Sequence, residues 1–472
     1  MKRYAFNALH LIFLLLSLPW IAYRRWRWGK NRRGWSHKLM GWVPRREGDA
    51  TCIWFHAVSV GEVNLLLPVV ERLKTLNPNW ELVFSTTTET GYEVATAKFP
   101  QHTVFFWPYD FSWAVGNALD RIQPNLIVLA ELELWPNFIE LASRYRSERF
   151  SQGIPVAVIN GRLSESSFRG YQRFGWLIRP IFSKLSLVAA QDSTYASRFV
   201  QLGCPNQRVL VTGNIKYDGV QTDRSNRASE QCRQLANIQA GEFVFVAGST
   251  QEAEDLLAAE VYRQLKAEFP QLRLILVPRH PERSARLMSL LTAKGFSVVR
   301  RSEIGTRGQF ADFRIPASKR LDGNPDHTAE SASPSASTAA SNVSSVAVYD
   351  CPILIVDVVG ELNAWWGLAD AAFVGGSMGT RGGQNMLEPA AYAAAVCFGP
   401  NTKNFTQVVT QLLGAGGAVV VHDQAQLQQF VQRVMTDAEW AKALGQRAQQ
   451  AILQHHGAAD QTVQQLLRLL KT

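Results

Sequence analysis

Phe373-Val374-Gly375-Gly376-Ser377-Met378-Gly379-Thr380-Arg381-Gly382-Gly383-Gln384-Asn385-Met386-Leu387-Glu388-Pro389 decides how this 472-residue chain is read. The apolar run Ala371–Val374 leads into it, and an alanine-rich, helix-prone run leads out. A strand, a glycine loop and a helix start in that order bind phosphate. Glycine lets the backbone approach an anion closely, and free N–H groups at a helix start point at it. Glu388, three residues into the expected helix, suits a sugar hydroxyl better than a phosphate. The combination points to a nucleotide-sugar.

On either side of this stretch, short apolar and β-branched runs alternate with helical stretches. The first half holds Cys52–Ala57, Leu82–Ser85, Val104–Trp107, Leu126–Leu129, Val156–Asn160, Leu187–Ala190 and Val209–Val211. The second holds Phe243–Ala247, Leu272–Val277, Ser297–Arg300, Ile353–Val356, Ala371–Val374, Val396–Phe398 and Val419–Val421. Uniformly apolar strands separated by helices predict parallel sheets covered on both faces. Two such series predict an α/β protein of two doubly wound, Rossmann-like domains, with ligands at the carboxyl ends of the strands in a cleft between them. The polar segment near Asp218–Ser225 reads as the linker, giving domains at 36–220 and 221–472. Within the second, residues 302–346 are rich in Ser, Ala, Thr, Asn and Pro and read as a disordered insertion.

The net charge of +10 is local. Residues 1–46 carry eleven Lys and Arg and no acidic residue, and the remainder is nearly neutral, so a nucleic-acid-binding body is not expected. Residues 1–35 read as a membrane anchor helix, Tyr4–Tyr23, with a basic interfacial segment behind it; a signal peptide or a buried core helix is the alternative, and the charge asymmetry favours the anchor. Twenty helical residues span about 30 Å, a bilayer core. Arg24, Arg25, Arg27, Lys30, Arg32 and Arg33 follow, interleaved with Trp26, Trp28 and Trp35, as at a membrane interface. That charge asymmetry predicts a cytoplasmic body and membrane lipids as partners. Five scattered cysteines, none in a CxxC pair, fit neither a disulfide framework nor a zinc site.

Polar chemistry recurs where strands end. His56-Ala57-Val58-Ser59-Val60-Gly61-Glu62 follows the first strand, and Glu62 is either a helix-start carboxylate or a general base. Glu131-Leu132-Glu133 follows the fourth strand and reads as a ligand-flanking pair or a solvated turn. Asn160-Gly161-Arg162 and Thr212-Gly213-Asn214-Ile215-Lys216 read singly as turns. In the second half, Ala247-Gly248-Ser249-Thr250, Val277-Pro278-Arg279-His280 and Val359-Gly360-Glu361 take the same positions.

Together these segments resemble the Kdo transferases, which attach 3-deoxy-D-manno-octulosonic acid to a lipid A precursor. The likeness rests on His56–Glu62, Glu133-Leu134-Trp135-Pro136-Asn137, Gly161-Arg162-Leu163-Ser164, Gly213–Asp218, Val277–Arg283, Gly360-Glu361-Leu362 and the opening stretch, in family order. It implies a GT-B fold, CMP-Kdo as donor, no cofactor or metal, and an inverting transfer at the cytoplasmic face of a bacterial inner membrane. By this resemblance Glu62 is the general base and Glu131 a second essential carboxylate. Pro278, Arg279, Val359, Gly360, Glu361, Gly376, Ser377, Asn385, Met386, Leu387 and Glu388 are the CMP contacts. The chain departs from the family pattern at Gln384, where histidine is usual, and at Leu132 between the two glutamates.

Two rival readings come from other classes. Gly375-Gly376-Ser377-Met378-Gly379 fits the G-x-S-x-G elbow of a serine hydrolase, although the loop continues where an elbow enters its helix directly. A non-catalytic, membrane-bound nucleotide-sugar binder is the other.

Overall fold

The computed structural model describes residues 33–133, 135–146, 153–304, 315–316, 349–350 and 352–471, and positions 7–8, 10–12, 16–17, 19–20 and 23. All seven apolar runs of each half are strands, with ends shifted by up to three residues. The first sheet contains β1 (Cys52–His56), β2 (Glu81–Thr86), β3 (Thr103–Phe106), β4 (Leu126–Ala130), β5 (Val156–Gly161), β6 (Leu187–Ala190) and β7 (Val209–Val211). The second contains β8 (Phe243–Thr250), β9 (Leu272–Pro278), β10 (Val298–Arg300), β13 (Ile353–Ile355), β14 (Ala371–Val374), β15 (Ala395–Phe398) and β16 (Ala418–Val420). A short antiparallel pair, β11 (Ile315–Pro316) and β12 (Tyr349–Asp350), lies apart from both.

Every pairing within the two large sheets is parallel. The strand orders are β3-β2-β1-β4-β5-β6-β7 and β10-β13-β9-β8-β14-β15-β16. In each sheet the winding reverses once, between β1 and β4 and between β8 and β14. A doubly wound sheet opens a crevice at that point, because the loops from the two strands leave in opposite directions.

The strands read as continuous apolar runs because both faces are covered. Trp54 packs on one face with Phe105, Trp107 and Phe138. Its neighbours Ile53 and Phe55 face the other way, with Phe84, Phe99 and the helix Val60–Leu76. Full burial of each such side chain contributes about 1.5–3 kcal/mol. Cys52, Cys204, Cys232 and Cys397 are reduced and buried.

The chain divides into two compact units at Gly219/Val220, inside the expected linker. The second unit, however, stops at Gln454, and the segment from His455 onward belongs to the first. The expected 221–472 domain is therefore corrected. The helix Ala458–Lys471 buries Ala458, Ala459, Val463 and Leu466 in the core beside the helix Val60–Leu76. Asp218 caps its start by accepting from the N–H groups of Gly457 (2.5 Å) and Ala459 (2.6 Å).

Half of the Tyr4–Tyr23 anchor segment lies outside the described residues, and so does most of the 302–346 insertion. Among the described residues no helix is long and apolar enough to cross a membrane. The described part of the N-terminal segment is tied to the first unit. Asn7 donates to Ser112 Oγ (2.8 Å) and accepts from Asn137 Nδ2 (3.1 Å).

If the last helix completes the first unit, Leu466→Ala should lower that unit's unfolding free energy by about 2–5 kcal/mol. An unshifted urea transition in the first unit's tryptophan signal would remove the helix from that core.

Candidate active site

Glu62 and Glu131 follow β1 and β4, the two strands at which the first sheet reverses. Glu62 lies in the first turn of the helix Val60–Leu76, which Ser59 caps. Its Oε2 accepts from the Val58 N–H (2.8 Å) and its Oε1 from the Ser59 hydroxyl (2.9 Å). The capping role is thus real, and it also holds the carboxylate in one orientation. Burial pushes its pKa up, the two hydrogen bonds oppose that, and Glu131 adds to it while Lys216 pulls it down.

Glu131 has φ +57°, a left-handed conformation uncommon outside glycine, while its N–H still pairs with Ile159 O (2.9 Å). Strain of this kind, about 1–3 kcal/mol, persists where surrounding structure over-determines a functional position. Its carboxylate pairs with Lys216 Nζ at 2.9 Å. The Lys216 turn is fixed by buried Asn160, whose Oδ1 accepts from Ile215 N at 2.9 Å. Glu133 completes the group. Burial first, then the Glu62 charge, raise it to about 7, against the Trp135 indole N–H at 3.1 Å. Burial and then Glu133 in turn raise Tyr171. Three carboxylates and one cation are therefore coupled at one sheet edge. The local sequence gives Lys216 the look of an ordinary turn residue, and leaves Glu133 either one of a ligand-flanking pair or part of a solvated turn. His56, which opens the same loop, is a core residue stacked on Trp107 at 3.7 Å, and burial pulls it down to about 3.

In the second unit the remaining candidates cluster at the ends of four adjacent strands, β13, β9, β8 and β14. Pro278 ends β9, and Arg279 follows it with its N–H on Thr250 O (3.0 Å) and its side chain exposed. His280 lies 3.4 Å from Arg381 and 3.2 Å from Glu282. Val359 is 83% exposed and Gly360 has φ +92°. Glu361 is held by Arg301 through two bonds of 3.0 Å. Asn385 Nδ2 donates to Glu388 (2.9 Å), whose carboxyl burial pushes up. Met386 and Leu387 are buried, so only their backbone can face a ligand.

The glycine loop departs from expectation. The N–H groups of Gly376 and Ser377 do not await a phosphate. They donate to the buried carboxylate of Glu254, at 2.7 and 3.0 Å. The Ser377 hydroxyl donates to Val374 O (2.6 Å) and accepts from Gly399 N (2.8 Å), fully buried. Gly376 and Ser377 are therefore structural residues of the loop, and Ser377 is no exposed nucleophile. The Gln384 side chain lies against Gly376, where a Cβ would come within 3.1 Å of it. Beneath the loop, Asp255 is bound by the Thr250 hydroxyl and Arg283, and burial pushes it up to about 7.

Two doubly wound parallel sheets, with acidic groups at one reversal and a glycine loop beside basic residues at the other, define a GT-B-like protein. Solved structures share that fold at low identity. A UDP-GlcNAc 2-epimerase from Neisseria meningitidis matches 89% of this chain and 100% of its own, with TM-score 0.53 and 12% identity. A glycosyltransferase from Rickettsia africae matches 90% and 98%, with TM-score 0.52 and 10% identity. The chain belongs to the 3-deoxy-D-manno-octulosonic-acid (Kdo) transferase family. That family's sequence profile matches residues 30–219. The 3-deoxy-D-manno-octulosonic acid transferase of Haemophilus influenzae is 31% identical over 90% of this chain and 88% of its own. The Chlamydophila psittaci enzyme of the same name is 29% identical over 98% and 95%.

Glu133 keeps its proton to about 7 in the folded protein, against 4.5 for an ordinary glutamate. Its stabilising effect is therefore complete below pH 4.5 and is lost as pH rises through 7. Glu133→Gln should melt near wild type at pH 4.5 and above it at pH 8. Equal differences at the two pH values would reject the shift.

Proposed function

We propose that this chain transfers Kdo from CMP-Kdo to a lipid A precursor in lipopolysaccharide core biosynthesis, with inversion and with Glu62 as general base. Family membership carries the reading, with relatives of that name aligned along 90% and 98% of the chain. The site chemistry supports it. The Glu62 carboxylate takes the proton of the acceptor hydroxyl as that oxygen bonds to the anomeric carbon of Kdo. The bond from that carbon to the CMP phosphate breaks, and CMP leaves with its electrons. A carboxylate raised by burial and by Glu131 is a stronger base than a solvated one. Lys216, beside Glu131, is a cation available to the sugar acid's carboxylate.

Arg279 is the group for the departing phosphate, since a guanidinium aimed at developing negative charge stabilises a leaving group without a metal. The backbone of Val359 to Glu361 and of Asn385 to Glu388 is the remaining donor contact, with the Glu388 carboxyl on a sugar hydroxyl. The body works at the cytoplasmic face of the inner membrane. Exposed Ile12, Leu16 and Trp20 and the basic segment behind them support that placement.

Purified protein given CMP-Kdo and lipid A precursor should form a product heavier by Kdo. Glu62→Gln should slow that transfer by roughly 10²–10⁴-fold. A full rate in the variant would move the base elsewhere. Chelators should leave the rate unchanged; a rate lost to EDTA and restored by a divalent cation would end the metal-free mechanism.

A further inference from the structure

The glycine loop has the form of an anion cradle, and it already holds an anion. Glu254 lies in the first turn of the helix Glu252–Lys266, directly after β8, and is 2% exposed. Its Oε2 accepts from Gln251 N (2.8 Å) and Gly376 N (2.7 Å), and its Oε1 from Ser377 N (3.0 Å) and Met378 N (2.9 Å). The four donors come from β8's helix start and from the loop after β14, the two strands at which the second sheet reverses. One carboxylate thus bridges the crevice where such a sheet usually receives its ligand. Further ties shape the loop beyond it. Gly383 N donates to Gly376 O (2.7 Å), and Asn404 holds Arg381 O (2.8 Å) and Gly382 O (2.9 Å). Arg381 and the Asn385–Glu388 segment are carried on the part of the loop so fixed.

We propose that Glu254 is a positioning residue for the donor site, a built-in anion that sets the posture of the 376–388 loop and leaves its outer part, from Gly379 onward, to the substrate. This rests on the reading of the second unit as the CMP-sugar site. An amide cannot replace the carboxylate. Glutamine offers one acceptor oxygen, and its NH2 would face two of the four N–H donors, leaving buried donors unpaired.

The test is CMP binding by calorimetry, with steady-state transfer alongside. Glu254→Gln should bind CMP about tenfold more weakly, a loss of the size expected for buried unpaired donors. The effect should fall on the donor KM more than on kcat. Leu265→Ala, which empties core volume on the opposite end of the same helix, is the control for lost stability and should keep wild-type CMP affinity. If Glu254→Gln fails to fold, Glu254→Asp keeps the charge, is one methylene too short to reach the loop, and should lose affinity in the same way. Wild-type CMP affinity in the folded Glu254 variant, or an equal loss in Leu265→Ala, overturns the proposal. Wild-type protein that binds no CMP overturns the donor-site reading instead.

Discussion

Parallel pairing is the constraint from which the rest follows. A parallel strand cannot return by a tight turn, so every strand is followed by a crossover, and all carboxyl ends of a sheet come out on one edge. The loops that carry Glu62, Glu131 and Lys216 are therefore neighbours despite lying far apart in sequence. The same holds for those carrying Thr250, Arg279, Glu361 and Gly376. Reversal of the winding then selects one place on each edge. In the first unit it selects the gap between Glu62 and Glu131. In the second it selects the gap that Glu254 spans.

The two reversals are used differently. The first gathers like charges: Glu131 raises Glu62, and Glu62 and Glu131 raise Glu133, against the hydrogen bonds of Val58, Ser59 and Trp135 and the Lys216 charge beside Glu131. Such a group is electrostatically unfavourable, and a base benefits from that arrangement. The second gathers donors and satisfies them internally. Its carboxylate is fully matched by N–H groups, as a structural anion should be in a buried place. Chemistry and scaffolding thus draw on the same geometric feature in opposite ways.

Much of this is legible in the residues. Strands covered on both faces are apolar at every position, so runs such as Leu126–Leu129 and Ala371–Val374 announce themselves. Glu62 and Glu131 can be placed because their loops follow such runs. What stays hidden depends on strand order, which no local pattern encodes. Glu254 lies three residues after Gln251 and looks like the ordinary start of a helix, which it also is. Its partners in the loop are more than 120 residues away. Gly376 and Ser377 have the pattern of anion-binding backbone and do bind an anion, but a sequence cannot show that the anion is its own. The helix Ala458–Lys471 has an apolar face, and nothing in that face says which sheet it covers.

That last helix bears on how the chain is made. The first unit contains residues up to Gly219 and then lacks its final core element until the whole second unit has been synthesised. At roughly 5–20 residues per second the delay is on the order of ten to fifty seconds. Throughout it the surface around Val63, Leu66 and Val70 stands without Val463 and Leu466. Until then the first unit carries an uncovered apolar surface, the kind of transient exposure that makes a partly made chain prone to misassembly.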